Sequence, residues 1–322
     1  MLARFNVHLA LALGALIMTL DTDAQTLSLF SAALDQQWNY GKPAESESRF
    51  RLELSKWPAD DPRALVVATQ IARTQSLRRQ FADAHTTLDI IESKLDNAPS
   101  HIRVRYLLER GRTFNSSGLP ERAVPLFSEA LSLAECNRDE FYAVDAAHML
   151  GIAAPVQERA RWNAKALEMT ERSSDARTKR WLAPLYNNLG QAHLEGGRYA
   201  MALDYFAKAL PAWEARGDAG SVRVARWMIA RAQRSLGQLD EAEKTQRALL
   251  AEYDQQGEAD GYVYEELAEI ALARGDVLAA RPWAGKAYAT LSGDQGLAAR
   301  EPDRLKRLSE IAGNAPPASI AR

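Results

Sequence analysis

Residues 185–210 read LYNNLGQAHLEGGRYAMALDYFAKAL, and their spacing decides the fold. Ahead of Gly196-Gly197, the residues Tyr186, Leu189, Gly190 and His193 recur at i, i+3, i+4 and i+7. Beyond it, Tyr199, Ala202, Phe206 and Ala209 keep the same helical period. That period gathers each set on one face of a helix. The stretch therefore predicts two antiparallel helices joined by a tight turn. Gly190 and Ala202 are the small residues that let the helices approach closely, which leaves room for the Phe206 ring. Gly197 ends the first helix, because glycine enters the left-handed conformation without a steric penalty.

The pattern repeats outward from this copy. With Gly197 as anchor, a small residue stands 7 positions before and 5 after, and a bulky one 9 after. Anchors at Gly237 and Gly275 downstream, and at Gly118 and Arg79 upstream, give Ala230, Ala268, Gly111 and Ala72 at the first place. They give Ala242, Ala280, Ala123 and Ala84 at the second. A weaker copy centres on Pro155, with Ala160 at +5 and Ala147 one residue out of step. A degenerate first copy centres on Gly41, with Ser46 at +5 and Phe50 at +9. Six of the seven +5 positions are alanine, whereas 57 alanines in 322 residues would place about one there by chance. The recurrence marks the contact seams of stacked helix pairs.

This pattern resembles the tetratricopeptide repeat, whose hallmark is W-x2-L-G-x2-Y followed by A-x3-F. Residues 183–216 match best, with Tyr186 for the Trp and His193 for the Tyr. Residues 104–137 match through Leu107, Gly111, Phe114, Gly118, Ala123, Phe127 and Ala130, and residues 141–172 match least. Anchor spacings of 37 to 42 exceed the usual unit of about 34 and are similar in style to kinesin light chain repeats. The resemblance implies an all-α, right-handed superhelical solenoid of about seven antiparallel helix pairs. The array is expected as one domain over 25–313, closed by a capping helix over 302–312 and followed by a flexible tail over 314–322.

Residues 1–24 carry Arg4, an apolar run from Val7 to Leu20 and small residues near Ala24, the layout of a secretory signal peptide. Cleavage near Ala24 predicts a periplasmic or secreted protein. A start at Met18 predicts a cytoplasmic one. The run is too short to span a bilayer, and no cysteine follows it, so no stable membrane anchor is expected. Forty basic against 42 acidic residues give a net charge of -2, which argues against a broad nucleic-acid footprint. The lone Cys136 excludes an internal disulfide.

In such an array the first helices of the pairs line the inner surface. Residues between the packing positions then form the candidate groove: Arg73, Arg105, Arg112, His148, Asn187, Gln191, Trp227, Arg231, Arg234 and Tyr262. Glu265 and Glu269 make its far end acidic. Arginine forks suit carboxylates, exposed rings supply contact area, and amides can bond an extended backbone. The two-carboxylate clamp known in the family needs Lys and Asn at successive places, and Leu108/Arg112, Asn187/Gln191 and Trp227/Arg231 do not supply it. No GxxxxGK[ST], HExxH or GxSxG motif occurs, so neither a catalytic site, nor a metal, nor a cofactor is expected. The reading is a non-enzymatic scaffold binding another protein through an extended, partly acidic segment. The alternative is a regulatory receptor for a short signalling peptide or small metabolite.

Overall fold

The computed structural model describes residues 25–313, and every regular element among them is a helix. The expected leader over 1–24 and tail over 314–322 lie outside the described residues. Where the sequence predicts one array, the described residues gather into two compact units that divide between Trp181 and Leu182.

The first unit holds α1 (25–35), α2 (Pro43–Leu54), α3 (Pro62–Leu77), α4 (Phe81–Glu92), α5 (Ser100–Ser116), α6 (Pro120–Cys136), α7 (Glu140–Ala153), α8 (Val156–Arg172) and the short α9 (Ala176–Lys179). The pairs α3–α4, α5–α6 and α7–α8 pack side by side, and α3, α5 and α7 touch in succession. The second unit holds α10 (Leu182–Glu195), α11 (Tyr199–Glu214), α12 (Ala219–Ser235), α13 (Leu239–Gln256), α14 (Gly261–Ala273), α15 (Val277–Leu291), α16 (Gln295–Arg300) and α17 (Pro302–Ala312). Its pairs are α10–α11, α12–α13 and α14–α15, with α17 laid on α15.

The small residues sit at the seams. Ala84, Ala123, Ala202, Ala242 and Ala280 are fully buried. A Cβ added to Gly111 would stand 2.5 Å from Phe127 Cε1, and one added to Gly190 would stand 2.5 Å from Phe206 Cε1. Only glycine leaves space for those rings. The anchors take positive φ at Arg79, Gly118, Gly197, Gly237 and Gly275. Arg79 adopts the turn conformation at φ 62 although it carries a side chain, so position in the repeat outweighs residue preference there.

The fourth pair differs from the sequence reading. Ala160 is exposed, and the buried stripe of α8 is Asn163, Ala166 and Thr170. Asn163 thus fills the place that Phe127 and Phe206 fill elsewhere, facing Gly151, whose added Cβ would lie 2.4 Å from Asn163 Oδ1. At the carboxyl end, Leu305 and Leu308 of α17 close a core with Tyr264, Ala284 and Leu291. Gly313, left-handed at φ 79, ends that helix.

Candidate functional site

In the first unit the predicted arginines are present on the first helices, but carboxylates of the same unit hold them. Arg73 Nη1 donates to Glu109 Oε1 at 3.2 Å. Arg112 Nη1 donates to Glu109 Oε1 at 2.7 Å, and Arg112 also pairs with Asp145. Arg105 is only 2% exposed; it donates to Asp35 Oδ1 at 3.0 Å, to Thr69 Oγ1 and to the Tyr142 hydroxyl. His148 is buried beside Asp145, 5.0 Å from the Trp181 ring, and burial holds its pKa down at about 4. Nearby Asp145 opposes that shift and the Arg112 and Arg73 charges reinforce it. The expectation of a solvent-facing cationic row is therefore corrected here. Carboxylates on the same helix, on the next repeat and on α1 pair with the arginines, because a buried guanidinium without such a partner is too costly.

A segment the sequence placed in the first repeat covers this face. Asp35, at the end of α1, receives Arg105 and also Arg177 Nη2 at 2.5 Å. Trp38 Nε1 donates to Gln70 Oε1 at 2.8 Å, and Arg73 lies 5.8 Å from the Trp38 ring centroid. Ser31 Oγ lies 2.9 Å from His101 Nε2, and His101 Nδ1 lies 3.1 Å from Asp139 Oδ2. The order Ser–His–Asp is that of an acyl-transfer relay. Ser31, however, has no exposed surface, so no substrate reaches its hydroxyl, and the contact serves to pin α1 to α5.

The inner face of the second unit is more open. Trp227 of α12 lays part of its ring on a core that includes Leu194 and Phe206. Its Nε1 donates to the Tyr262 carbonyl at 3.1 Å. The Tyr262 ring meets it edge-on at 6.0 Å and is 38% exposed. Beside them lies a recess of about 230 Å³, walled by Val224, Trp227, Leu249, Tyr253, Tyr262 and Val263, with Arg223 and Asp260 at its edge. Burial pushes the Tyr253 hydroxyl up to about 12, with Asp260 adding to the shift, so the phenol stays neutral. Arg231 makes no ion pair among the described residues; its guanidinium lies 5.5 Å from the Trp227 ring centroid. On α10, Asn187 Oδ1 and Gln191 Oε1 are buried acceptors with no hydrogen-bond partner among the described residues. The Gln191 amide donates to Glu195 Oε1 at 2.5 Å.

The remaining predicted groups are occupied. Arg234 Nε pairs with the nearly buried Glu266 at 2.5 Å. The acidic end is neutralised: Arg304 of α17 donates to Glu265 Oε1 at 2.9 Å, and Arg307 pairs with Glu269. The sequence reading missed Asp35, Tyr142, Arg177, Arg304 and Arg307, because each meets its partner from another repeat. The signal available for them was the excess of arginine and carboxylate at matching helix positions.

Residues 181–255 match the tetratricopeptide repeat family. Comparison with curated proteins finds no matching relative. Among solved structures, the chain is similar to the apo form of RapI, with a TM-score of 0.63 and 10% identity over 90% of this chain and 84% of the other. It is similar to NprR, solved with its cognate peptide NprX, with a TM-score of 0.55 and 14% identity over 88% and 82%. It is also similar to the repeats of a kinesin light chain protein from Podospora anserina, with a TM-score of 0.50 and 18% identity over 60% and 97%. At these identities the likeness is one of fold.

Proposed function

We propose that this chain, whose helix pairs are tetratricopeptide-type repeats, is a non-enzymatic interaction scaffold holding an extended, partly acidic polypeptide segment on the inner face of its second unit. One observation carries the reading. An uncommitted arginine and two unpartnered buried amide oxygens lie on the first helices of successive repeats, and an aromatic-walled recess lies between α12, α13 and α14. Asn187 and Gln191 are each partly exposed, and rotation of either amide would bring its buried oxygen to a main-chain N–H of an extended segment, which repairs the deficit. The recess takes one large apolar side chain, and Arg231 takes a carboxylate. The solved NprR complex with a peptide supports this class of partner. Neither a nucleic-acid partner nor a membrane partner is part of the proposal, and no described helix is long and apolar enough to cross a membrane.

The test is selection from a displayed random-peptide library on the immobilised full chain, with counter-selection on a Trp227→Ala, Arg231→Glu variant. Enriched peptides should pair an acidic residue with a bulky apolar one and be lost on the variant. Enrichment that the variant retains would sink the reading. The leader supports a second, separate proposal of export, tested by mass spectrometry of the mature amino terminus: a terminus at Gln25 supports it, and one at Met18 refutes it.

A further inference from the structure

The first unit carries a face that its own chain covers. Helix α1 crosses successive elements of that unit in order. Phe30 meets Trp57, ahead of α3, edge-on at 5.8 Å. Ser31 bonds His101 in α5, and Asp35 receives the Tyr142 hydroxyl of α7 at 3.3 Å and Arg177 of α9 at 2.5 Å. This is how a helical ligand lies in a groove, across the helices that line it.

Two guanidiniums, Arg105 and Arg177, converge on the single carboxylate of Asp35, and the Arg177 guanidinium also stacks 3.6 Å from the Phe141 ring centroid. The attachment is narrow. Only Leu27, Ser31 and Leu34 of α1 are deeply buried, and Leu29 is 67% exposed. One flank opens on a cavity of about 680 Å³ between Ser28, Leu29 and Ala32 of α1 and His101, Asp139 and Phe141. A helix of three turns is marginal without packing, so local opening of α1 is cheap beside opening of α5 or α7.

We propose that this face is a docking surface for a partner helix carrying a carboxylate, and that α1 holds it closed in the free protein with Asp35 standing where the partner's carboxylate goes. The proposal is independent of the open face on the second unit.

A synthetic peptide of residues 25–42 is the probe, added to the full chain and to its Asp35→Arg variant. The reversed charge faces Arg105 and Arg177 and releases α1. The variant should bind the peptide about tenfold more tightly than the unaltered chain does, and an Asn in place of Asp35 in the peptide should cost about tenfold. Equal binding to both proteins overturns the proposal. Hydrogen exchange on the unaltered chain needs no variant. Amides of α1 should exchange about a hundredfold faster than those of α5 and α7. Equal rates would make α1 a fixed part of the fold and overturn the proposal. A dimer of the unaltered chain that the peptide dissociates would assign the face to a second copy and overturn the partner-helix reading.

Discussion

Gly190→Ala tests the packing argument through its sign. In the second unit the added Cβ would lie 2.5 Å from Phe206 Cε1 and 2.6 Å from Cδ1. Ordinary contact begins near 3.4 Å, so the ring or the helix must move by about an ångström. Phe206 is fully buried and has nowhere to go. Overpacking of this kind costs about 1–3 kcal/mol, while alanine in a helix interior gains about 1 kcal/mol over glycine. The net effect should be a loss of up to about 2 kcal/mol. Gly285, also inside a helix of this unit, is the control, because its added Cβ meets only Ala312 Cβ at 3.8 Å. Gly285→Ala keeps the propensity gain without the clash and should stabilise by up to about 1 kcal/mol. Urea unfolding of both variants, read as midpoint at unchanged slope, measures the difference. Phe206→Leu added to Gly190→Ala should relieve the overlap. If Gly190→Ala stabilises the chain as much as Gly285→Ala does, the helices do not meet at that seam.

The other predictions concern charge, turn geometry and one buried amide. His148 is held neutral at about 4, below the roughly 6.5 of an unfolded histidine, so only the unfolded chain takes up its proton as pH falls between those values. Its contribution should therefore reduce stability by about 2 kcal/mol on going from pH 7.5 to 5, and His148→Leu should flatten the urea-midpoint difference by that amount. Arg79→Gly should stabilise the first unit by about 0.5 kcal/mol in thermal unfolding, because φ 62 costs arginine more than glycine. Arg234→Ala leaves Glu266 buried without its partner and should cost about 3 kcal/mol in urea unfolding, most of it recovered when Glu266→Leu is added. Asn163→Leu removes a buried Oδ1 that lacks a partner and should be neutral or stabilising by about 1 kcal/mol; a large loss would show that its Nδ2 bond to the Gly151 carbonyl matters more.

The seams were readable because close approach of two helices demands small side chains at fixed distances from a turn. Gly111 against Phe127 and Gly190 against Phe206 obey that demand. Even Arg79 was placed correctly, since spacing marked the turn where residue type did not. The fourth pair was misread at Ala160, because Asn163 replaces the aromatic that sets the register elsewhere. The candidate groove was readable only as a face. Periodicity tells which side of a helix a residue takes, not what other part of the chain lies over it. Arg105 was correctly placed on a first helix, but Asp35, 70 positions away in sequence, lies against it. Glu265 and Glu269 looked free for the same reason, until Arg304 and Arg307 arrived from the capping helix. Trp227 and Arg231 stand on α12, a first helix, and Arg231 makes no ion pair among the described residues.

The claim that an acidic peptide meets the second unit is tested most directly by a charge swap in calorimetric titration. A library-selected peptide should bind the full chain, lose about tenfold in affinity to Arg231→Glu, and recover when its acidic residue is changed to arginine. An affinity that Arg231→Glu leaves unchanged, or a loss that the swapped peptide does not repair, would contradict the account.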